Sequence, residues 1–206
     1  MINDNGVFID IHEKLRPYEQ VISFLSRVEE EFSIKKYCNG ANEGGRWIYQ
    51  IYSIEFIRDL SVLMESVLVK VHSKGTVLEV MAGDGMLSHY LSCMGSVNPI
   101  PSDNKSSRDD IAFSKDMETV DAIEAVRKYT PALVLLSWEP YYSDISLSLV
   151  ESGIPVIWIG NPDACAVSSH IHDIDYVRHE SSYLLGRHDC IETNDFKTQI
   201  RVYNLP

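Results

Sequence analysis

The sequence contains few cysteines, and none of them are closely spaced. The four in the chain of 206 residues are far apart, with no CxxC pair, at Cys38, Cys93, Cys165 and Cys190. A disulfide framework or a thiolate zinc site would need closer, patterned spacing. We therefore expect reduced and mostly buried thiols, and no structural metal.

Long apolar runs and a secretory leader pattern are also missing. No stretch reaches the roughly 18 apolar residues that a transmembrane helix needs. The first thirty residues alternate polar and apolar types, without the basic start and apolar middle of a signal peptide. These absences predict a cytoplasmic protein that does not associate with membranes.

Basic residues are scarce, and the resulting negative charge lies mostly in the C-terminal two-thirds of the chain. The net charge is -12, and the 132 residues from position 75 onward carry -10 of it. A surface that neutralises phosphates needs clustered lysine and arginine. The composition therefore argues against a nucleic-acid partner and favours a small molecule or a peptide as substrate.

The length and composition suit one domain, residues 1–206, in two parts. Residues 1–74 form an N-terminal helical extension or lid, with helical spacing in "YEQVISFLSRVEEE" and again in "SIEFIRDLSVLMESVLVK". A glycine-rich loop, "YCNGANEGGRW", lies between them. Residues 75–206 form the core, where substrate-binding strand ends should lie.

From Thr76 onward, apolar strand patterns alternate with helical ones. The predicted strands are "TVLEVM", "SVNPIP", "METVDA", "ALVLLS" and "PVIWIG". Continuous apolar strands between helices indicate an α/β fold, with a mainly parallel sheet covered by helices on both faces. The last two segments, "YLLGRHDCI" and "TQIRVYNL", are predicted to form a C-terminal antiparallel hairpin at one edge.

The ends of the first two strands carry acids beside a glycine turn, "MAGDG". Ligands bind such sheets at the carboxyl ends of the strands, where the strand order reverses. Glu79, inside the first strand, would cost several kcal/mol unless loop N–H groups or a cationic cofactor compensate it. Asp103, at the end of the second strand, is suited to accept ribose hydroxyls. Asp84 is predicted to cap the helix that begins at Met86.

Several of these segments together resemble a known family. "VLEVMAGDGMLS", Asp103, "VDAIEAVRKY" and "ALVLLSWEPYY" are similar in order and spacing to class I S-adenosylmethionine-dependent methyltransferases. The likeness is to small members with a tryptophan motif after the fourth strand, and it covers residues 45 to 165. It implies a Rossmann-like, seven-stranded sheet with a final antiparallel strand, S-adenosyl-L-methionine as the cofactor, and direct methyl transfer.

The resemblance also implies which residues surround the cofactor. Glu79 and the turn would hold its amino-acid end, Asp103 its ribose, and Asp121 with Ala122 would border its adenine. The full implied set is Glu79, Met81, Ala82, Gly83, Gly85, Asp103, Asp121, Ala122, Ser137 and Trp138.

The chain departs from the family pattern at two positions. Met81 replaces the first glycine of the turn, which is a mild change if its backbone stays in a normal region. Glu139 follows Trp138, where relatives often have proline, and is a base, a substrate anchor or an exposed loop acid. The candidate catalytic residues are Glu139 and Tyr141. Trp138, Tyr141 and Tyr142 either line the methyl site with their ring faces or simply pack.

Three histidines lie close together in "SSHIHDIDYVRHE". His170 and His172 would point to one face if this segment were a strand, and His179 follows them. A metal site and an ordinary solvated loop both remain open. We expect the segment to form a loop on the substrate side.

Two alternatives from other classes share these features. A nicotinamide-dependent oxidoreductase would use the same turn and Asp103, but Ser88 stands where the third glycine of that motif belongs. A non-catalytic protein that keeps the fold would explain Met81 and Glu139 as relics of a lost site.

Overall fold

The computed structural model describes residues 2–106, 117–167 and 169–205 of the chain. The helices are α1 Tyr18–Glu31, α2 Ile34–Cys38, α3 Ile54–Lys70, α4 Met86–Met94, α5 Ala122–Tyr129 and α6 Ile145–Glu151, with a 3-10 helix at His170–Asp173. The strands are β1 Gln50–Ile51, β2 Val77–Val80, β3 Ile100–Asp103, β4 Glu118–Thr119, β5 Leu133–Ser137, β6 Val156–Gly160, β7 Val177–His179, β8 Leu185–Gly186 and β9 Gln199–Tyr203.

In the described residues, seven strands form one sheet in the order β4-β3-β2-β5-β6-β9-β7. The pairs from β4 to β6 are parallel, and β9 runs antiparallel to both of its neighbours. The predicted mainly parallel α/β sheet is confirmed. The strand order reverses between β2 and β5, so their carboxyl ends flank the crevice where such sheets bind ligands.

The predicted C-terminal antiparallel hairpin is confirmed in part. An antiparallel pair does lie at one edge of the sheet, formed by the last strand, β9, and the edge strand β7, but the partner segment is not the predicted one. The segment expected to pair with β9 supplies β8, which pairs with β1 in a separate two-stranded sheet. The edge strand β7 has two exposed residues out of three, so it lacks the apolar pattern that would have revealed it.

Helices cover both faces of the sheet, which explains why its central strands are continuously apolar. Leu135 and Ile157 face α3 and α4 in one buried cluster. Leu136 and Trp158 face the opposite side, in a second cluster with α5 and α6. Residues alternate between the two clusters along each strand, and this alternation directs Glu79 towards α4.

The N-terminal extension has a small core of its own. The two predicted helices are present as α1 and α3, and α1 packs with Phe8, Tyr37 and Ile48 in a third buried cluster. The Tyr37 hydroxyl donates to the Ile9 carbonyl and accepts from the Ile11 N–H. The β1–β8 pairing joins this extension to the C-terminal part of the chain.

The four cysteines are free thiols, two of them buried. None of the helices in the described ranges is both long and apolar enough to cross a membrane.

Candidate functional site

A cavity of about 540 Å³ lies at the carboxyl ends of β2 and β5. This volume is within the range of small-molecule sites. The glycine turn and Asp103 form one wall, and residues 137–142 form another. The rest of the lining comes from the extension, through residues 44–50 with Asp10, His12 and Tyr52, and from the C-terminal third, through Ala164, Cys165, Arg187 and His188.

Most of the residues predicted for the site meet at this cavity. The cofactor-side residues that line it are Glu79, Met81, Ala82, Gly83, Asp103, Ser137 and Trp138, and both candidate catalytic residues, Glu139 and Tyr141, do so too. The other three predicted residues do not line it. Gly85 is the N-cap of α4, Asp121 accepts a bond from the Ile123 N–H at the start of α5, and Ala122 is buried in the core.

Glu79 is compensated by a helix. Its side chain is 2 % exposed, and its Oε2 accepts from the Ser88 N–H at 3.1 Å and from the Ser88 hydroxyl. Ser88 is in the first turn of α4, where N–H groups lack partners within the helix. Glu79 therefore receives these hydrogen bonds from Ser88 of α4, whereas the N–H groups of the turn were the predicted protein donors. Burial raises the pKa of Glu79 to about 8 against the opposing effect of these bonds, so it carries a proton at neutral pH.

Asp103 ties the end of β3 to the glycine turn. Its Oδ2 accepts from the Gly83 N–H at 3.0 Å, and its Oδ1 accepts from the Lys105 N–H at 2.7 Å. A carboxylate oxygen accepts more than one hydrogen bond. Both oxygens therefore keep capacity for a ligand hydroxyl.

The turn presents bare backbone to the cavity. Gly83 has a φ of +58°, and a Cβ added there would meet no atom within 4 Å. Across the cavity, Gly44 and Gly45 have positive φ and the same open space in front of them. A ligand can therefore approach the main chain closely from both sides.

Two bulky residues at the reversal point have a left-handed backbone. Met81 follows β2 with a φ of +53°, and Trp138 follows β5 with a φ of +59°. The normal backbone that would make Met81 a mild change is therefore not present. Non-glycine residues in this region are strained, and such strain concentrates at functional sites. The Ala82 N–H donates to the Ser102 carbonyl, and the Trp138 N–H donates to the Ile159 carbonyl. These two bonds to neighbouring strands hold both turns in place.

Side-chain bonds fix the orientation of Trp138. Its indole N–H donates to the Gln50 Oε1 at 2.9 Å, and the Gln50 amide donates to the Leu185 carbonyl at 2.6 Å. A Cβ on Gly186 would come within 2.5 Å of the Trp138 ring. The tryptophan therefore packs against the β1–β8 sheet and forms part of the cavity wall.

Arg46 links the extension to the glycine turn. Its Nε is 2.5 Å from the Asp10 Oδ2, and its Nη1 is 2.7 Å from the Asp84 Oδ2. Asp84 is not the N-cap of α4, which is Gly85, but it accepts from the Met86 N–H at 3.1 Å and so satisfies the first N–H group of the helix, as a cap would. Burial raises the pKa of Asp84, and both of these partners oppose the increase. Sequence reasoning identified this helix contact of Asp84 but missed the ion pair.

Replacing Arg46 by methionine is expected to lower the free energy of unfolding by about 2 kcal/mol. The change leaves two partly buried carboxylates without their shared counterion. Urea unfolding followed by circular dichroism measures the loss. Arg127→Met, which removes an exposed arginine on α5, is the control, and equal midpoints for the two variants would contradict the expectation.

Glu139 is buried, so its interpretation as an exposed loop acid is wrong. It is 1 % exposed, and its Oε1 accepts from the Ser143 hydroxyl at 2.7 Å and from the Ser146 N–H at 3.0 Å. It therefore anchors the start of α6. Its other oxygen, Oε2, is buried with no hydrogen-bond partner among the described residues. Tyr141, at 57 % exposure, lies on the same segment of the cavity wall.

Sequence reasoning missed two histidines in the cavity wall. His12 stacks on Tyr52 with ring centres 4.5 Å apart, and its Nε2 is buried without a partner in the described part of the chain. His188 lies edge-on to Trp138. Burial lowers the pKa of each to about 4, with Arg187 adding to the effect at His188. Both side chains are therefore neutral imidazoles in the cavity wall. No local sequence motif predicts that either histidine belongs to the site.

The predicted histidine segment does not reach the cavity. Ser169 caps a 3-10 helix at His170–Asp173, so His170 and His172 do not share a strand face. His172 contacts the Cys165 carbonyl and Arg201, and His179 contacts Asp59. The expected substrate-side loop is therefore wrong for these residues. In the described ranges, no group of three or more His, Cys, Asp or Glu side chains is arranged to hold a metal.

Comparisons with known proteins give limited similarity. No protein-family model matches the chain, and no curated protein matches it. Among solved structures, a Streptococcus mutans protein provisionally assigned as a SAM-dependent methyltransferase has a TM-score of 0.36 at 11 % identity, covering 67 % of this chain and 47 % of its own. The chain thus spans about half the length of that protein.

Two further structures are similar at the same level. A provisionally assigned methyltransferase complexed with SAH has a TM-score of 0.37 at 11 % identity, with 67 % of this chain and 48 % of that chain covered. A Thermoplasma acidophilum protein has a TM-score of 0.38 at 11 % identity, and the match covers 73 % of this chain and 97 % of that chain. At these TM-scores the matches establish neither a family nor an activity for this chain.

Proposed function

We propose that the protein binds S-adenosyl-L-methionine in this cavity and transfers its methyl group to a small molecule or a peptide. The observation that carries the proposal is the bare Gly83 backbone beside Asp103 and Glu79 at the point where the strand order reverses. The seven-stranded sheet with one antiparallel strand, last in the chain, is also the arrangement that the family resemblance implies.

The residues present fit this cofactor. Open space in front of Gly83 admits a ligand against the main chain, and the Asp103 oxygens can accept ribose hydroxyls in addition to their two backbone bonds. Glu79 can exchange its proton for a charge interaction with an ammonium group, because its raised pKa reflects burial without a cation. In the proposal these three residues hold the nucleoside and the amino acid.

The bound cofactor supplies an electrophilic methyl group on a sulfonium sulfur. The protein has to align the acceptor, exclude water and receive a proton where the acceptor releases one. Trp138 is fixed by Gln50 and offers its ring to a positive centre. Glu139 has one buried oxygen without a partner in the described residues, and we assign it the proton, with Tyr141 positioning the acceptor.

Calorimetric titration of the purified protein with S-adenosylmethionine, SAH and NADH tests the proposal. We expect the first two ligands to bind and NADH not to bind. Preference for NADH would favour an oxidoreductase instead. A failure of all three to bind would contradict a cofactor-dependent enzyme and favour a non-catalytic protein with this fold.

A further inference from the structure

Arg187 is a buried cation without an anionic partner among the described residues. It is 6 % exposed and lines the cavity. Its guanidinium lies 4.4 Å from the ring centre of Tyr49 and 5.4 Å from that of Trp47. Its Nε is buried with no hydrogen-bond partner, and no carboxylate in the described ranges forms an ion pair with it. A buried charge in this state is costly, and the two rings offset only part of the cost.

Most of the other ionisable groups among the described lining residues already have partners, and among the acids the exception is the Oε2 of Glu139. Arg46, the second arginine among the described lining residues, is paired with Asp10 and Asp84. Glu79 and Asp103 accept from Ser88 and from main-chain N–H groups. Among the described lining residues, Arg187 is therefore the one arginine without an anionic partner.

The nearest acid in sequence is also fully engaged. The Asp189 Oδ2 accepts from the Gly186 N–H at 2.7 Å. Its Oδ1 accepts from the N–H groups of Lys197 and Thr198 and from the Thr198 hydroxyl. These bonds hold the loop that carries Arg187, so Asp189 fixes the position of the arginine without neutralising it.

The loop that carries Arg187 lies at the ends of β5 and β6. The Asn161 side chain, which follows β6, contacts the ring of the next residue in that loop, His188, at 3.2 Å. In the sheet, β6 is separated from β2 by β5. His188 also contacts Trp138. A ligand held at Gly83 and Asp103 would leave this part of the cavity to a second molecule.

We propose that Arg187 binds an oxyanion, a carboxylate or a phosphate, carried by the methyl acceptor. The proposal rests on the proposed function for the identity of that acceptor. The planar guanidinium suits either oxyanion because it presents parallel N–H donors. The neutral His188 and the flanking rings favour an acceptor whose anionic group is attached to an apolar or aromatic body.

Binding of three small probes to the SAH-loaded protein tests this proposal. The probes are benzoate, phenyl phosphate and, as a cation of similar shape, benzylamine. We expect at least one of the two anions to bind at millimolar concentration and benzylamine not to bind. The anion with the higher affinity shows whether the site prefers a carboxylate or a phosphate. In Arg187→Gln the affinity for the anion should fall about tenfold to a hundredfold, with partial recovery in Arg187→Lys.

Three controls separate the possible results. Arg127→Gln, an exposed arginine on α5, should bind the anion as the wild type does, and unfolding midpoints show which variants are folded. SAH and 5′-methylthioadenosine, which lacks the amino-acid carboxylate, should bind wild type and Arg187→Gln alike. Weaker binding of SAH alone in Arg187→Gln would assign the arginine to the cofactor and overturn the proposal.

Two other results would also overturn it. One is that neither anion binds the wild type, and the other is equal anion binding by the wild type and by both Arg187 variants. If the wild type binds no SAH but still binds an anion through Arg187, the proposed function fails on its own. In that case an oxyanion site would remain, and its assignment to a methyl acceptor would be withdrawn.

Discussion

Replacing Gly83 by valine is expected to weaken SAH binding roughly a hundredfold, which corresponds to about 3 kcal/mol. The reason is steric, because a side chain at this position projects into the open space in front of the turn. That space lies beside Asp103, where the ribose is proposed to bind. Calorimetric titration of the variant with SAH measures the effect.

Gly153→Val is a matched control for this experiment. Gly153 has a φ of +79° and also has no atom within 4 Å of an added Cβ, but it follows α6 and does not line the cavity. Both substitutions place a β-branched residue in the left-handed region, so both should cost about 1 to 3 kcal/mol of stability. Only Gly83→Val should lose affinity. Equal SAH affinities in the two variants would remove Gly83 from the proposed site.

Glu79 is expected to lower the stability of the wild type relative to Glu79→Gln as the pH rises from about 4.5 to about 8, whereas His12 and His188, with their lowered pKa values, act in the opposite direction below about pH 6.5 in both proteins. The pKa of Glu79 is raised from 4.5 to about 8 in the folded state by burial. Within this window the unfolded chain has released the proton and the folded chain still holds it, so at Glu79 each increase in pH favours unfolding. The contribution is fully present below the lower pKa and is lost by the upper one.

Glu79→Gln should remove this pH dependence. Glutamine keeps an oxygen that can accept from Ser88 and has no proton to release, so its advantage over the wild type should grow to the order of 4 kcal/mol near pH 8. Urea unfolding at several pH values measures both curves. Glu151→Gln, an exposed acid at the end of α6, should keep the wild-type slope. Parallel curves for wild type and Glu79→Gln would show that Glu79 is ionised in the folded state.

The regular parts of the fold were predictable because their signals are local. The four residues of β2 and the five of β6 are fully buried, and apolar runs of this kind between helical patterns indicate a parallel sheet. The glycine turn and the acids beside it were also legible, because turns need particular residues and strands rarely contain carboxylates. These signals predicted most of one cavity wall.

The other wall was not predictable from local pattern. Arg46, His12 and Arg187 are separated by long stretches of chain, and no motif of fixed spacing joins them. They meet because the extension packs on the strand ends through the β1–β8 pairing and the Arg46 ion pairs. The two residues of β8 carry too little pattern to indicate that pairing.

By itself the sequence determined the class of the fold and the edge of the sheet where the candidate cavity lies, and it drew attention to Glu79, since hydrophobic periodicity and turn chemistry act over a few residues. The tertiary structure decided what those residues contact. It gave Glu79 a helix N–H as its partner, buried Glu139, and strained Met81 and Trp138 at adjacent strand ends. It also left Arg187 without a counterion among the described residues, a property that depends on which distant side chains fold around it.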